Sequence, residues 1–403
     1  MLKPKIQFRE FSASCWVEHS LSDIAKIERG RFSPRPRNDP QYYGGEIPFA
    51  QTNDVSSSGG YINHFSQTLN EKGLKVSKLF PEGTILMTIA ANIGYCGILS
   101  RPMACPDSLV GISCKKGTYN YFLNIYLNRE QPRIDYLAPQ AAQKNINIEF
   151  LTPYKIKLPK TLFEQQKIAN FLTAVDTKIN QLTEKHRLLK EYKKGVMQQI
   201  FSQQLRFKDK DGKAFPDWKS YPLKKVLSLQ SDTLNMLDDE TYELITVKRG
   251  FGGVVSRGLF KGKDVLVKNQ FTIHENEFVI SKRQIVHGAC GLVPAALNGA
   301  IVSNEYNVFR PVEHLLDIDY FNRFTTTPLM RRAFFINSDG VHIEKLLFKT
   351  QSWLKTKVTL PCLEEQQKIA QFLQALDSKI TAVSEQIEQT TQFKKGLLQQ
   401  MFV

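Results

Sequence analysis

The chain lacks any hydrophobic run long enough to cross a membrane. Its longest uncharged stretches, residues 85–100 and 288–304, fall short of the roughly 20 apolar residues that a spanning helix requires, and glycine, asparagine or proline interrupts both. The N-terminal residues also lack the apolar core of a signal peptide. These absences argue against an integral membrane protein, and we expect a cytoplasmic chain with no membrane partner.

Cysteine is scarce, with six residues in 403, and no two of them form a C-x-x-C pair. Neither cysteine nor histidine shows the spacing of a zinc site. We therefore expect reduced thiols and no metal bound by this chain.

Acidic residues are too few to balance the basic ones. Thirty-nine Asp and Glu stand against 54 Lys and Arg, which gives a net charge of +15 and a pI near 9.4. Such an excess favours a polyanionic partner, most simply nucleic acid. The remaining composition, 42% apolar and 23% charged, is that of an ordinary globular protein, and 403 residues suffice for two or three domains.

The signatures of enzymes that act on DNA are also missing. Residues 38–42 come nearest to the N-P-P-[YF] loop of an amino-methyltransferase but lack its second proline. Pro106-Asp107 is not followed by the acid-x-Lys triplet of a metal nuclease, and residues 258–263 are one residue short of a P-loop. Together these gaps favour a binding protein, with a methyltransferase or nuclease of unrecognised motifs as the alternative.

What the sequence does contain is a long internal repeat. Residues 164–201 and 365–402 align without a gap and are identical at 19 of 38 positions, mostly in E-Q-Q-K-I-A at the start and K-K-G, Q-Q and F at the end. Trp16 and Trp218 each open a W-x4-L-x2-[IV] segment, 202 residues apart. The duplication therefore covers the whole chain.

Both copies are rich in helix formers, and their apolar residues recur at alternating spacings of three and four. This heptad seam predicts two helices, each about 60 Å long, that pack on each other within one chain. Two separate hairpins or a homodimeric coiled coil are the alternatives. Polar seam positions at His186, Lys193, Thr390 and Lys394 should cost stability but help to fix the register. The apolar residues expected to pack are Leu172, Val175, Ile179, Leu182, Val196, Leu373, Leu376, Ile380, Val383 and Leu397.

The helix ends carry further signals. Thr161 and Glu164 predict a capping box at the start of the first helix, whereas Cys362 occupies the corresponding position before the second. Gly195 and Gly396 lie at equivalent positions inside the helices, where each costs about 1 kcal/mol relative to alanine. Close approach of another backbone would explain both glycines, and chance tolerance is the alternative.

The region before each long helix is predicted to consist of short strands between turns. Strand-like segments occur at 47–50 and 82–89 in the first region and at 242–247 and 276–282 in the second. A lysine-rich strand closes each region, at 154–159 and 356–361. A shared G-x-C-G pattern within 93–99 and 287–293 predicts a tight turn into a buried strand, and short helices are expected near 119–128 and 318–331.

Basic and amide side chains gather in the predicted loops. Arginine neutralises phosphates or binds guanine edges in bidentate fashion, and Asn or Gln pairs with adenine. A solvated surface position is the ordinary alternative for each single residue, but it explains the whole set poorly given the net charge. The candidate DNA-binding residues are Arg29, Arg31, Arg35, Arg37, Gln51, Asn53, Asn92, Lys144, Lys248, Arg249, Arg257, Lys282, Arg283, Gln284, His287 and Asn304. Residues 139–146 and 337–342 are further loop candidates.

The order of globular region, E-Q-Q-K-I-A…K-K-G helix, second globular region and second such helix resembles the specificity (S) subunit of type I restriction–modification systems, over almost the whole chain. The resemblance implies an α+β fold with two mixed α/β target-recognition domains, related by pseudo-twofold symmetry and separated by two long antiparallel coiled-coil helices. The implied boundaries are recognition domains at 1–157 and 218–359, helical spacers at 158–205 and 360–403, and a linker at 206–217.

The resemblance also implies a subunit without a catalytic site that reads a bipartite sequence in double-stranded DNA, one half-site per domain. Two methyltransferase (M) subunits and restriction/translocase (R) subunits would dock on it. Those partners would bring S-adenosylmethionine, ATP and Mg²⁺. No base-contacting residue carries over, because the recognition domains of this family vary widely. A coiled-coil scaffold with incidental basic charge is the remaining alternative.

Overall fold

The computed structural model describes residues 3–90, 92–139, 144–342 and 346–403 and comprises two compact units. The first unit contains Met1–Thr183 and Glu385–Val403, and the second contains Glu184–Ser384. Each unit joins one globular region to part of each of two long helices. The predicted boundaries between domains, spacers and linker are not tested by this division and stay predictions.

The described residues of the first unit form a five-stranded, a four-stranded and a two-stranded sheet. Its strands are Trp16–Ser20 (β1), Ala25–Arg29 (β2), Tyr43–Phe49 (β3), Tyr61–Ile62 (β4), Gln67–Leu69 (β5), Lys78–Phe80 (β6), Ile85–Thr88 (β7), Cys96–Leu99 (β8), Met103–Cys105 (β9), Leu109–Cys114 (β10) and Lys155–Pro159 (β11). Its helices are Leu21–Ile24 (α1), Thr52–Ser56 (α2), Glu71–Lys75 (α3), Asn120–Leu137 (α4), Ile148–Leu151 (α5) and the first part of Leu162–Phe201 (α6). The five-stranded sheet has the order β2-β10-β7-β8-β4, the four-stranded sheet β5-β3-β9-β6, and β1 pairs with β11.

The second unit repeats this plan. Its strands are Lys219–Pro222 (β12), Leu227–Gln230 (β13), Thr233–Leu234 (β14), Thr241–Val247 (β15), Val254–Lys261 (β16), Gln270–Thr272 (β17), Phe278–Ser281 (β18), Cys290–Leu292 (β19), Ile301–Ser303 (β20), Tyr306–Pro311 (β21), Ser338–Asp339 (β22), Leu347–Phe348 (β23) and Lys357–Leu360 (β24). Its helices are Ile318–Phe324 (α7), Pro328–Ile336 (α8), Thr350–Trp353 (α9) and the first part of Leu363–Gln400 (α10). It also contains the last part of α6, and the last part of α10 belongs to the first unit. The order β13-β21-β18-β19 matches β2-β10-β7-β8, and β12 pairs with β24 as β1 does with β11.

The central strands consist almost entirely of residues without polar side chains, and Thr88 at the end of β7 is the exception. Every residue of β7 and β8 is buried, as expected for strands covered on both faces. Gly94 (φ +85°) turns the chain into β8, and Gly288 (φ +74°) does the same before β19. The predicted tight turn into a buried strand is confirmed in both units.

Two predicted helices differ in extent. The helix expected near 318–331 is in fact α7 and α8, because Thr327 caps a new helix by accepting from the Met330 N–H at 3.4 Å and Pro328 occupies its first position. The helix expected near 119–128 continues to Leu137.

The end of each long helix lies in an aromatic core. In the first unit Phe402, just beyond α10, has its ring centroid 5.8 Å from that of Trp16 and 5.4 Å from that of Phe122. In the second unit Phe201, at the end of α6, lies 5.7 Å from Tyr320 and 5.6 Å from Phe324. Phe201 and Phe402 are equivalent in the repeat, so both copies use the same final residue to anchor a helix.

The start of each long helix is fastened by the repeated Glu-Gln. Trp16 Nε1 donates to Glu164 Oε1 at 3.3 Å, and Trp218 Nε1 donates to Glu365 Oε2 at 3.1 Å. The capping box predicted at Glu164 is only half formed. The Glu164 N–H donates to the Thr161 hydroxyl at 3.2 Å, but the carboxylate bonds to Trp16 instead of the cap backbone.

The neighbouring glutamines bind the loops that follow β10 and β21. Gln165 accepts from the Tyr119 N–H at 2.8 Å and donates to the Gly117 carbonyl at 3.1 Å. Gln366 accepts from the Asp317 N–H at 2.9 Å and donates to the Leu315 carbonyl at 2.9 Å. Both glutamines are buried, so these bonds fix each sheet to its helix.

The two long helices run antiparallel. In the first unit Lys394 of α10 pairs with Asp176 of α6, and in the second unit Lys193 of α6 pairs with Asp377 of α10. As residue numbers increase along α6, the numbers of the contacting residues in α10 decrease, which is the pattern of antiparallel helices. The ten apolar seam residues predicted to pack are buried or, at Ile179 and Ile380, half-buried.

Candidate nucleic-acid interface

In the first unit the candidate residues collect at one end of the five-stranded sheet. Val110, near the start of β10, pairs with Arg29 at the end of β2 and with Met87 near the end of β7. The loop after β2 and the turn after β7 therefore leave the sheet at the same end. This end carries Arg29, Arg31, Arg35, Arg37 and Asn92.

Four arginines at this sheet end are exposed, and each donates a hydrogen bond to a nearby carbonyl or carboxylate oxygen. Arg37 Nη2 lies 2.6 and 2.9 Å from the two carboxylate oxygens of Asp107, and Arg29 Nε donates to the Asp107 carbonyl at 2.8 Å. Arg31 donates to the Ser77 carbonyl at 3.0 Å, and Arg35 to the Pro34 carbonyl at 2.8 Å. These contacts orient the loop and leave guanidinium surface open to solvent.

The amide candidates occupy neighbouring positions. Gln51 precedes α2 and donates to the Gln67 side chain at 2.9 Å, while Asn53 is exposed within that helix. Gln67 also lines an open cleft of about 370 Å³, with Asn38, Pro40, Tyr43, Gly44 and Thr68. Burial raises the pKa of Tyr43, and the nearby positive charge of Arg37 partly offsets that rise. The Tyr43 hydroxyl donates a hydrogen bond to the Arg37 carbonyl at 2.5 Å. The cleft therefore joins the arginine loop to the glutamine pair.

Lys144 lies beside the turn that follows β7. It pairs with Asp135 at 2.8 Å, and the nearby Ile146 N–H donates to the Ile89 carbonyl at 3.0 Å. Residues 140–143 of the predicted loop 139–146 lie outside the described residues.

The second unit gathers its candidates at the equivalent sheet end. Ser281, the last residue of β18, pairs with Tyr306, the first of β21. The Lys282 N–H donates to the Glu305 carbonyl at 3.0 Å, and its Nζ donates to the Asn304 carbonyl. The Phe348 N–H donates to the Lys282 carbonyl at 3.0 Å, which brings the β22–β23 pair to this sheet end. β22 lies within the predicted loop 337–342.

The glycine-rich turn between β15 and β16 joins this cluster. The Gly250 N–H donates to the His287 carbonyl at 2.7 Å, and the Phe251 N–H to the Gly288 carbonyl at 2.8 Å. Lys248 and Arg249 on this turn are exposed, as is Arg257 on β16. Arg283 is exposed and pairs with Glu305 at 2.6 Å, whereas Gln284 is half-buried.

Both clusters lie at the sheet end opposite the long-helix attachment. β10 begins beside the arginine loop, and about 17 Å further on, at 3.3 Å per residue, it leads into Gly117 and Tyr119, which bind Gln165. β21 likewise runs from Ser281 toward Leu315 and Asp317, which bind Gln366. Each rigid sheet therefore separates candidate DNA contacts from helix attachment.

The described part of the chain contains no group of three or more His, Cys, Asp or Glu side chains that could hold a metal ion. Within the same ranges, no helix is both long and apolar enough to cross a bilayer. The six cysteines are free thiols.

A family model described as "Type I restriction modification DNA specificity domain" matches this chain twice, at residues 14–190 and 217–392. The chain belongs to the type I restriction–modification DNA specificity family. The two matches coincide with the two halves of the duplication, and each includes one globular region and most of the helix that follows it.

Named relatives agree with this membership. The chain is 25% identical over 229 residues to the MjaIX specificity subunit of Methanocaldococcus jannaschii, a match that covers 54% of this chain and 52% of the relative. It therefore spans about half the length of that archaeal subunit. It is 22% identical over 383 residues to the EcoprrI specificity subunit of Escherichia coli, covering 91% of this chain and 88% of the relative.

Solved structures share the fold. An S subunit of a type I restriction–modification system from M. genitalium aligns over 100% of this chain and 99% of its own, with a TM-score of 0.60 at 15% identity. The HsdS subunit from Thermoanaerobacter tengcongensis aligns over 96% of both chains with a TM-score of 0.51 at 14% identity. The specificity-family fold of two mixed α/β domains and two long antiparallel helices is thus present here.

Two acidic residues at the candidate interface were missed by reasoning from the sequence. Asp107 and Glu305 each come just before an equivalent strand, β10 or β21, and each binds an arginine of the candidate set. An acidic residue just before each of two equivalent strands was the signal that the sequence offered. The equivalence of the two strands becomes clear only when the two sheets are aligned.

Proposed function

We propose that the chain is the DNA-reading subunit of a type I restriction–modification complex and binds a bipartite site in double-stranded DNA, with one half-site per globular region. The observation that carries this proposal is the repeated sheet end: both units place basic loops at the same end of the equivalent sheet, away from the helix attachment. The net charge of +15 supplies attraction to phosphates.

In this proposal the chain makes or breaks no covalent bond itself. Methyltransferase subunits would bring S-adenosylmethionine, and restriction/translocase subunits would bring ATP and Mg²⁺. The proposed site of action is the cytoplasm, where the host DNA lies.

The test combines the chain with its cognate methyltransferase subunits and maps methylated positions in DNA. Methylated adenines should lie within one split sequence and should require both proteins. Reversing Arg29, Arg31, Arg35 and Arg37 to Glu should abolish that methylation. The matched control carries the same charge change at Lys210, Lys213, Lys224 and Lys225 and should keep it. Methylation or cofactor binding by the chain alone would instead identify an enzyme.

Two copies of one methyltransferase subunit would need two equivalent docking surfaces, and the long helices carry a repeated candidate. No heavy atom beyond the helix backbone and adjoining residues lies within 4 Å of a Cβ built on Gly195 or Gly396, so the predicted close approach of another backbone is absent in the described chain. Tyr192 and Phe393, three residues before these glycines, are 53% and 55% exposed. Each aromatic shares a helix face with its glycine.

This pattern is repeated although the chain's own packing does not require it. Lys194, Gln198 and Gln199 are exposed, and identical residues stand at the equivalent positions 395, 399 and 400. We assign one methyltransferase subunit to each surface: Tyr192, Gly195 and Gln199 in the second unit, and Phe393, Gly396 and Gln400 in the first.

Native mass spectrometry of the assembled complex tests this assignment. Tyr192→Glu and Phe393→Glu should each remove one of two bound methyltransferase subunits, and the double variant should remove both. Arg187→Glu is the control, because Arg187 is exposed and the equivalent residue is already Glu388. Two bound subunits on the double variant would refute the docking surfaces without affecting the DNA-reading proposal.

A further inference from the structure

The same acid–arginine pairing occurs at the candidate interface of both units. Asp107, two residues before β10, binds Arg37 with N–O distances of 2.6 and 2.9 Å. Glu305, directly before β21, binds Arg283 Nε at 2.6 Å. β10 and β21 hold the same place in their sheets, although the two loops come from different parts of the repeat: Arg37 follows β2, whereas Arg283 follows β18.

Four other candidate cations at these sheet ends lack such a partner, whereas Lys144 pairs with Asp135 at 2.8 Å. Among the described residues, no carboxylate oxygen pairs with Arg31, Arg35, Lys248 or Arg257. Arg31 and Arg35 donate to backbone carbonyls, and Arg257 lies 5.8 Å from the ring centroid of Phe260. The candidate set therefore contains two kinds of cation, those neutralised by a fixed acid and those that keep their full charge.

This difference matters because phosphate binding and base recognition make different demands. Phosphate binding releases counterions in proportion to the positive charge brought to the DNA, and a neutralised Arg–carboxylate pair brings almost none. Bidentate recognition of guanine O6 and N7 instead requires a planar donor group in a fixed orientation. A carboxylate that binds one side of the guanidinium supplies that orientation.

Exposure leaves both arginines able to reach a base. The Arg37 side chain is 47% exposed and the Arg283 side chain 58% exposed. Asp107 occupies Nη2 of Arg37, so its Nη1 group stays available, and Glu305 occupies Nε of Arg283, so both of its terminal nitrogens stay available.

We infer that Arg37 and Arg283 are specificity-determining residues that each recognise a guanine in one half-site, with Asp107 and Glu305 as their positioning residues. Arg31, Arg35, Lys248 and Arg257 neutralise phosphates. This inference rests on the proposed DNA-reading function and adds the base that each half-site must contain.

The experiment selects bound sequences from a randomised DNA library with the chain in its assembled methyltransferase complex. Arg37→Ala should lose the preference for guanine at one position of one half-site, by about tenfold to a hundredfold, and leave the other half-site unchanged. Arg283→Ala should do the same in the other half-site. Arg37→Lys and Arg283→Lys keep the charge and should show the same loss, which covers the case in which an alanine variant fails to fold.

Salt titration of affinity for the wild-type site supplies the matched controls. Arg35→Ala and Arg257→Ala should keep the selected sequence but reduce the slope of log K against log salt by about 0.9 each. Arg37→Ala alone leaves the Asp107 carboxylate unpaired, so the comparison uses the double variant Arg37→Ala/Asp107→Asn, which should leave that slope nearly unchanged. Asp107→Asn frees the Arg37 charge, so it should steepen the slope by a similar amount and weaken base preference.

The outcomes separate the inference from the function on which it rests. If the wild-type complex selects no sequence, the DNA-reading proposal fails. If it selects a split site but the Arg37 and Arg283 variants keep every base preference, or if the lost preference is for a base other than guanine, the present inference is overturned and the DNA-reading proposal stands.

Discussion

Lys394 Nζ lies 2.5 Å from a carboxylate oxygen of Asp176, joining the end of one long helix to the early part of the other. The repeat places the same pair in the second unit, where Lys193 contacts Asp377. Both lysines occupy seam positions, where a charge is tolerated only if it finds a partner. These pairs therefore give each half of the helix pair a defined register.

Charge swaps at the first pair test the register directly. Asp176→Lys places two half-buried ammonium groups together and should lower the free energy of unfolding by about 1–2 kcal/mol in urea denaturation. Adding Lys394→Asp should restore most of that loss. Asp377→Lys should cost more than Asp176→Lys, because Arg323 also binds Asp377 at 2.6 Å. An unrestored double variant would show that the lysine does not select this register.

A seven-residue insertion should change the spacing of the recognised site. Glu184 and Glu385 are equivalent in the repeat and fall midway between the two ion pairs on their helices. One extra heptad after each keeps the seam in phase and lengthens both helices by about 10 Å, or about three base pairs of DNA. Mapping of methylated sites should show unchanged half-sites with a longer gap. Loss of one half-site sequence would contradict separate reading by the two globular regions.

The two buried glutamates offer a matched comparison. The Glu365 carboxylate accepts hydrogen bonds from Arg206 Nε at 2.8 Å and from Arg206 Nη2 at 2.9 Å. These bonds raise the pKa of the Arg206 guanidinium. Glu164 bonds to Trp16, but its Oε2 has no hydrogen-bond partner among the described residues. Glu365→Gln should therefore lower the free energy of unfolding by about 2–3 kcal/mol and Glu164→Gln by about 1 kcal/mol or less. Equal losses would mean that Arg206 contributes little.

The helices and their duplication were predictable because their signals are local or exactly repeated. A heptad seam depends only on residues three or four positions apart, and residues such as Leu172 and Leu373 carry it in both copies. The break before Pro328 was also accessible, since proline after threonine is a helix-start signal, but the apolar pattern on both sides concealed it.

The attachments between sheet and helix were not predictable in the same way. Trp16 and Glu164 are 148 residues apart, and a repeat shows that both matter without showing that they touch. The Arg37–Asp107 pair is harder still, because it depends on the pairing of β2 with β10. Sequence patterns identify the basic loops, whereas the acids that orient them emerge only from the sheet register.

Buried thiols should make stability fall at alkaline pH. Burial raises the pKa of Cys290 to about 12, with a smaller opposing effect from a Thr325 hydrogen bond, and partial burial raises the pKa of the half-buried Cys114 to about 12. An unfolded thiol ionises near pH 8.5. Above that pH the unfolded chain releases a proton that the folded chain retains, so the stabilising contribution is complete below about pH 8.5 and declines toward pH 12.

Urea denaturation at pH 8 and pH 10 measures this effect against a variant. Removing the thiol in Cys290→Ala removes one titrating group, so its stability deficit relative to wild type should shrink by about 2 kcal/mol between the two pH values. Val293→Ala is the matched control, because Val293 is equally buried but does not titrate, and its deficit should stay constant. If the Cys290→Ala deficit also stays constant, the Cys290 thiol ionises at the same pH in the folded and unfolded chains, and its burial does not protect the proton.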